Sequence, residues 1–284
     1  MTAVGEDVAL YPTLHNGYAH SVSHEAAEAV DSAEPIVDIS YCLSPVGTPM
    51  KLTIIQTGEV PLPLRERFGP YRKMFETMFD ATGHGFAYEV VAVSDGEMLP
   101  DPAGLEGIVL TGSPAGVYDD LPWLDPLRAF IRNGYASRTP MLGICFGHQI
   151  MADALGGEVR KSEKGWGLGR HRYGVVARPG FMQDAPDALA VACSHQDQVI
   201  TPPPEAEVIL ASDFTPNAGL LYRNGAALSF QPHPEFTDDY ALALAELRRG
   251  RAPDNVVETA ISSIAEPSHS ADLAGYIGTF FKGR

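Results

Sequence analysis

From Lys51 onward, short β-branched and apolar runs alternate with stretches whose apolar residues recur at helical spacing. That is the pattern of a parallel sheet covered by helices on both faces. Residues 52–56 predict the first strand, and Tyr71, Met74, Phe75, Met78 and Phe79 mark a helix within 70–82. Residues 86–93 and the fully apolar 107–110 predict two more strands, the second ending in Thr111-Gly112-Ser113-Pro114, and 122–135 an amphipathic helix. Residues 140–144 form a short apolar run with Cys145 directly after it, and 146–155 reads as a helix closed by Gly156-Gly157. Further on, strands are expected at 169–176, 189–193, 206–211, 218–222 and 226–230. Two helices finish the chain, from 238 to about 249 and from 272 to about 281, with a Pro- and Ser-containing connection between them. The expected fold is α/β, with an open, mostly parallel central sheet and helices on both faces.

Residues 1–49 break this pattern. No Lys or Arg occurs among them, Glu6, Asp7, Glu25, Glu28, Asp31, Glu34 and Asp38 are acidic, and prolines interrupt any period. We expect residues 1–49 to be an irregular acidic extension, a tail or a wrap-around arm, and 50–284 a single catalytic domain; translation starting at Met50 is the alternative. The formal charge of -16 opposes nucleic-acid binding, which depends on Lys and Arg displacing counterions. Nothing approaches the roughly 18 to 20 apolar residues of a membrane span. Three cysteines without paired spacing, and no basic-then-apolar leader, point to a reducing, cytoplasmic setting without disulfides or a zinc site.

Two short motifs carry chemistry. Gly143-Ile-Cys145-Phe-Gly147 is G-x-C-x-G at a strand-to-helix junction, a thiol counterpart of the nucleophile elbow. Glycines flank such a turn because backbone segments approach too closely for Cβ atoms, and the helix N-terminus favours a thiolate. Phe230-Gln-Pro-His233-Pro-Glu235 supplies a base directly after a strand and an acid two residues on. A nucleophile needs a base, and a base needs an orienter.

Gly143-Ile-Cys-Phe-Gly-His-Gln149 followed by Pro232-His233-Pro-Glu235 resembles the class I glutamine amidotransferase family, especially a branch similar to the glutaminase domain of GMP synthetase. The resemblance covers about residues 52–281 and implies the flavodoxin-like fold of that family. It also implies a reaction. Cys145 attacks the side-chain amide of glutamine, a γ-glutamyl thioester forms with loss of ammonia, and hydrolysis gives glutamate, with His233 as acid/base and Glu235 as orienter. The N–H groups of Phe146 and Gly112 are the expected oxyanion donors, although Ser113 stands where many relatives have a second glycine, which leaves open whether the loop is preformed. Gln149 is expected to face the substrate and His148 to point elsewhere. Ser194, His195 and Asp197 are expected on a loop gripping the α-amino and α-carboxylate groups. The role of Trp166, between two glycines, as lid or packing anchor stays open.

No cofactor or metal is implied. The expected partners are glutamine or a γ-glutamyl compound, with room for a separate ammonia-acceptor protein and for a homo-oligomer. Two alternatives stand beside the glutaminase: a γ-glutamyl peptide or conjugate hydrolase or transferase using the same triad, and a catalytically silent binding protein on the same fold. A tight pocket around the amide would favour ammonia as leaving group, and an open cleft beside Trp166 and Tyr118 a larger amine.

Overall fold

In the computed structural model, which describes residues 48–283, the apolar runs become the strands of a nine-stranded sheet. All but Thr48 and Pro49 of the expected acidic extension lie outside the described residues. Strands β1 (Met50–Gln56), β2 (Phe86–Ala92), β3 (Gly107–Leu110), β4 (Met141–Ile144) and β11 (Ala227–Phe230) run parallel in the order β2-β1-β3-β4-β11. β3, β4 and β11 are buried at every position, the expected state of strands covered on both faces. Beyond β11 the sheet turns antiparallel through β10 (Gly219–Tyr222), β9 (Ala206–Ala211), β6 (Gly167–Val175) and β7 (Ala188–His195). β5 (Glu158–Lys161) and β8 (Asp197–Thr201) form a separate antiparallel pair.

The period-two alternation of the strands sorts their side chains into two cores. Leu52, Ile54 and Val109 pack with α2 (Arg72–Ala81), α5 (Asp238–Leu247) and α7 (Ser270–Lys282). Ile55, Ile108 and Leu110 face the other way, against α3 (Leu124–Ser137) and α4 (Phe146–Ala154). The open α/β sheet expected from the sequence is present, as a mixed sheet whose parallel half holds the four strand ends at the site. Among the described residues, no helix is long and apolar enough to cross a membrane.

Four elements depart from the expectation. Helix α6 (Asp254–Ser263) forms where a connection was expected; its β-branched residues have weak helix propensity, and of its ten residues only Val257 and Ala260 are buried. Packing supplies the missing stabilisation. Gly169, with φ +79°, lets α6 lie directly on β6, since a Cβ there would sit 2.6 Å from the Ala260 Cα. Helix α1 (Leu62–Phe68) buries none of its residues, and β5 and β8 are too short and exposed to show a period.

Candidate active site

The carboxyl ends of β1, β3, β4 and β11 all lead into the site, where ligands of open α/β sheets bind. β4 stops at Ile144, α4 starts at Phe146, and Cys145 between them has φ 53° and ψ -102°. Such a conformation costs a non-glycine residue roughly 1–3 kcal/mol and persists only when its surroundings enforce it. Here they do. The Cys145 N–H donates to the Phe230 carbonyl at 2.8 Å, and a Cβ on Gly143 would lie 2.5 Å from the Gly147 carbonyl oxygen. One on Gly147 would lie 2.2 Å from the Leu110 carbonyl oxygen. The two glycines of the motif are therefore required by contact between backbones, and the strained turn leaves the thiol above the sheet, 6% exposed.

His233 and Glu235 follow β11 and are almost fully buried. The His233 N–H donates to the Ala192 carbonyl at 2.8 Å, tying the turn to β7. Nδ1 lies 2.6 Å from Glu235 Oε1, and the imidazole lines the same lobe as Cys145, whose thiol acts electrostatically on it. Burial works against the imidazolium, but Glu235 and Cys145 outweigh it and raise the His233 pKa. Three neighbours were not legible in the sequence as parts of the site. Tyr71 Oη donates to Glu235 Oε1 at 2.7 Å, across 164 positions of chain. Phe236 stacks on the His233 ring at 3.9 Å and 8°. Gln231 Nε2 donates to Cys145 Sγ at 3.5 Å, and its Oε1 accepts from Gln149 Nε2 at 3.1 Å. For Phe236 and Gln231, position beside the His-x-Glu motif was a usable signal; for Tyr71 there was none.

The 111–114 loop is held in one orientation. The Gly112 carbonyl accepts from the hydroxyls of Thr57 and Thr111 at 3.3 and 3.1 Å. Because the C=O and N–H of a trans peptide point opposite ways, the Ser113 N–H is turned away from those threonines. Ser113 is an anchor: its Oγ donates to the Thr57 carbonyl at 2.7 Å and accepts from the Ala115 N–H at 3.1 Å. Gly58 presses on the loop from below, where a Cβ would lie 2.9 Å from Pro114 Cδ. Phe146 opens α4, whose first N–H groups have no intrahelical acceptor.

The expected 194–197 loop is a one-residue corner instead. Ser194 and His195 end β7, Asp197 begins β8, and only Gln196 lies between, because the β5–β8 pairing continues to Asp197. Tyr118 Oη donates to Asp197 Oδ2 at 2.9 Å, and Gln149 Nε2 donates to the Asp197 carbonyl at 2.8 Å. His195 Nδ1 lies 3.1 Å from the Asp197 carbonyl, its ring meets Phe214 edge to face, and burial lowers its pKa to about 3. His148 points away from the thiol, with Nδ1 2.8 Å from Ser229 Oγ, and burial lowers its pKa to about 3 as well. The other described cysteine, Cys193, is buried, and burial pushes its thiol up to about 12.

Two lobes of one cleft reach Cys145. The larger, about 380 Å³, is lined by Gln149, Asp197, Tyr118, Trp166 and Arg248; the smaller, about 70 Å³, by Tyr71, Gly112, His233, Tyr240 and Arg248. Trp166 serves both packing and cleft, since its Nε1 donates to the Arg251 carbonyl at 3.2 Å while its face carries the Arg248 guanidinium.

A thiol at the head of a helix, beside an imidazole hydrogen-bonded to a carboxylate, is the arrangement of hydrolases that work through an acyl-cysteine. The chain belongs to the class I glutamine amidotransferase family, whose model matches residues 80–241, a stretch that includes both motifs. It is 29% identical over 188 residues to γ-glutamyl peptidase 2 of Arabidopsis thaliana, covering 64% of this chain and 75% of that one. To the glutamine-hydrolysing GMP synthase of Thermus thermophilus it is 32% identical over 190 residues, covering 60% of this chain and 35% of the synthase. The fold is that of a glutamine amidotransferase from Thermotoga maritima, with a TM-score of 0.66 at 22% identity, covering 83% of this chain and 98% of the other.

Proposed function

We propose that the protein hydrolyses the γ-amide bond of glutamine or of a γ-glutamyl compound through a thioester on Cys145. The shared lobe of Cys145 and His233, with Glu235 2.6 Å from the imidazole Nδ1, carries this reading. In the first half-reaction Cys145 Sγ attacks the γ-carbonyl carbon, and the Phe146 N–H and the 112–113 backbone receive the oxyanion. Donors fixed before the charge develops are commonly worth about 3–4 kcal/mol each, and the threonine-held loop provides that fixity. The C–N bond breaks as His233 passes its proton to the leaving nitrogen, giving the γ-glutamyl thioester. In the second, His233 takes a proton from water, which attacks the thioester, releases glutamate and restores the thiol. Glu235, held by Tyr71, keeps the imidazole in its working tautomer and supports its positive charge. Asp197, in the lining of the larger lobe, suits the α-ammonium group, and Gln149 and Ser194 line the same lobe.

With ammonia as leaving group this is a glutaminase, and the ammonia would pass to a separate acceptor. The smaller lobe beside His233, about 70 Å³, has room for more than ammonia and favours the second reading, in which the leaving group is a larger amine. Purified full-length protein offered glutamine and γ-glutamyl dipeptides, with glutamate, ammonia and amine release followed, tests both. Release that disappears in Cys145→Ala supports the thioester chemistry; release that survives the substitution removes it.

A further inference from the structure

Arg248 enters the cleft with no motif to announce it. It caps the carboxyl end of α5, and its guanidinium lies 4.8 Å over the Trp166 ring. Its Nη2 donates to Ser194 Oγ at 3.5 Å, and its buried Nε has no hydrogen-bond partner. The adjacent Arg249 pairs with Glu246 and Glu258, yet among the described residues no carboxylate pairs with Arg248. Burial, then the nearby Arg251, lowers its pKa, so this charge sits where solvent compensates it poorly. A half-buried guanidinium stacked on an aromatic face and lacking an anion is a receptor for one.

Its position selects which anion. Arg248 lines both lobes where they meet at Cys145. On the reading given above, His233 protonates the departing nitrogen, so the leaving group lies on the imidazole side, in the smaller lobe. That lobe measures about 70 Å³, whereas a water-sized group such as ammonia needs about 10–15 Å³. Among its described lining residues Arg248 is the one permanent cation, and Glu59 the one other charged side chain besides the His233 imidazole. Glu59 repels an anion lodged beside it, which leaves the Arg248 end as the place for a carboxylate. The larger lobe is lined by Lys161 and Arg251 as well as Asp197, which together serve the zwitterionic γ-glutamyl head. Resting on that reading, we propose that Arg248 is a specificity-determining residue. With Trp166 behind it and Ser194 beside it, it receives the free carboxylate of an amino-acid or peptide leaving group. The favoured substrates are then γ-glutamyl amino acids and peptides with an uncapped carboxyl terminus.

The test compares γ-glutamylglycine with γ-glutamylglycinamide, which differ only in that carboxylate. The wild-type protein is expected to prefer the acid in kcat/KM by about 30-fold, the scale of a charge-assisted hydrogen bond. Arg248→Gln is expected to bring the ratio to within about threefold, and Arg248→Lys, which keeps the charge but loses the planar fork, to fall between. A wild-type protein with no preference, or an Arg248→Gln variant that slows both substrates equally and keeps the ratio, overturns the proposal. Calorimetric titration of Cys145→Ala protein, with and without Arg248→Gln, separates the two layers. Tighter binding of the acid that depends on Arg248 supports the carboxylate receptor even where turnover is absent, in which case the hydrolase reading alone fails. Equal affinities for acid and amide sink the receptor whatever the turnover.

Discussion

The two halves of the central sheet build the site by different means. The parallel half contributes strand ends, so its elements are set by backbone geometry: a strained turn at Cys145, two glycines in van der Waals conflict with any side chain, and a loop whose carbonyl is held by Thr57 and Thr111. The antiparallel half and the helices after it contribute cleft walls made of side chains, with Trp166 on the turn before β6, Ser194 on β7 and Arg248 at the end of α5. The comparison separates reaction from choice of substrate. Changes in the parallel half should act on turnover of every substrate, and changes in the other half on preference or on the stability of the walls.

Glu235→Gln is the sharpest probe of the first region. Removing the charge beside an otherwise intact imidazole is expected to lower kcat by about 10⁴-fold, the scale for the corresponding acid of a serine triad. The pH profile adds a sign. Glu235 and Cys145 raise the His233 pKa against burial, so the alkaline limb of kcat/KM, where His233 loses its proton, should move to lower pH when the carboxylate is gone. An unmoved limb would show that Glu235 does not act through His233. Gly112→Ala comes next. Its Cβ would lie 2.7 Å from Tyr71 Oη and 3.1 Å from His233 Cε1, displacing the loop and the base together. Loss of about 10²–10³ in kcat is expected, comparable with removing one oxyanion donor; normal kinetics would place the donors elsewhere.

In the antiparallel half the matching glycine should behave differently. Gly169→Ala puts a Cβ 2.5 Å from Ser263 Oγ at φ +79°, so α6 must move off β6. A stability loss of about 2–3 kcal/mol is expected from strain and overpacking, read by denaturant melts. A slower reaction at full stability would break the comparison. The smallest effect belongs to Tyr71→Phe. It removes one donor from Glu235 and is expected to lower kcat about tenfold and stability by about 1 kcal/mol, with kinetics and melts on the same sample distinguishing the two contributions.

How much of this was legible in the sequence follows from the same division. The elbow could be read because its residues are close together: Gly143, Cys145 and Gly147 lie within five positions, and although Gly143 is demanded by a clash inside the turn, Gly147 is demanded by the Leu110 carbonyl of the neighbouring β3. The central parallel strands β3, β4 and β11 could be read because burial on both faces makes them almost wholly apolar. Helix α6 could not, since its β-branched residues argue for a strand and its stability comes from contact with Gly169, far away in sequence. Tyr71 read as a core residue of a helix, and its ring is one; only the fold brings its hydroxyl to Glu235. The 194–197 segment read as a loop because the β5–β8 pair that shortens it to a corner has too few buried positions to show a period. Arg248 read as the tail of an amphipathic helix, and its lack of a carboxylate partner among the described residues is visible only once Trp166 and Ser194 surround it.

The most direct test of the central claim is to quench the protein in acid during turnover of an excess of a γ-glutamyl substrate and measure the mass of the peptide carrying Cys145. A γ-glutamyl adduct on Cys145, labile to hydroxylamine and missing from Cys145→Ala, is the predicted result. An adduct on another residue such as Cys193, or turnover that persists in Cys145→Ala, would contradict the account.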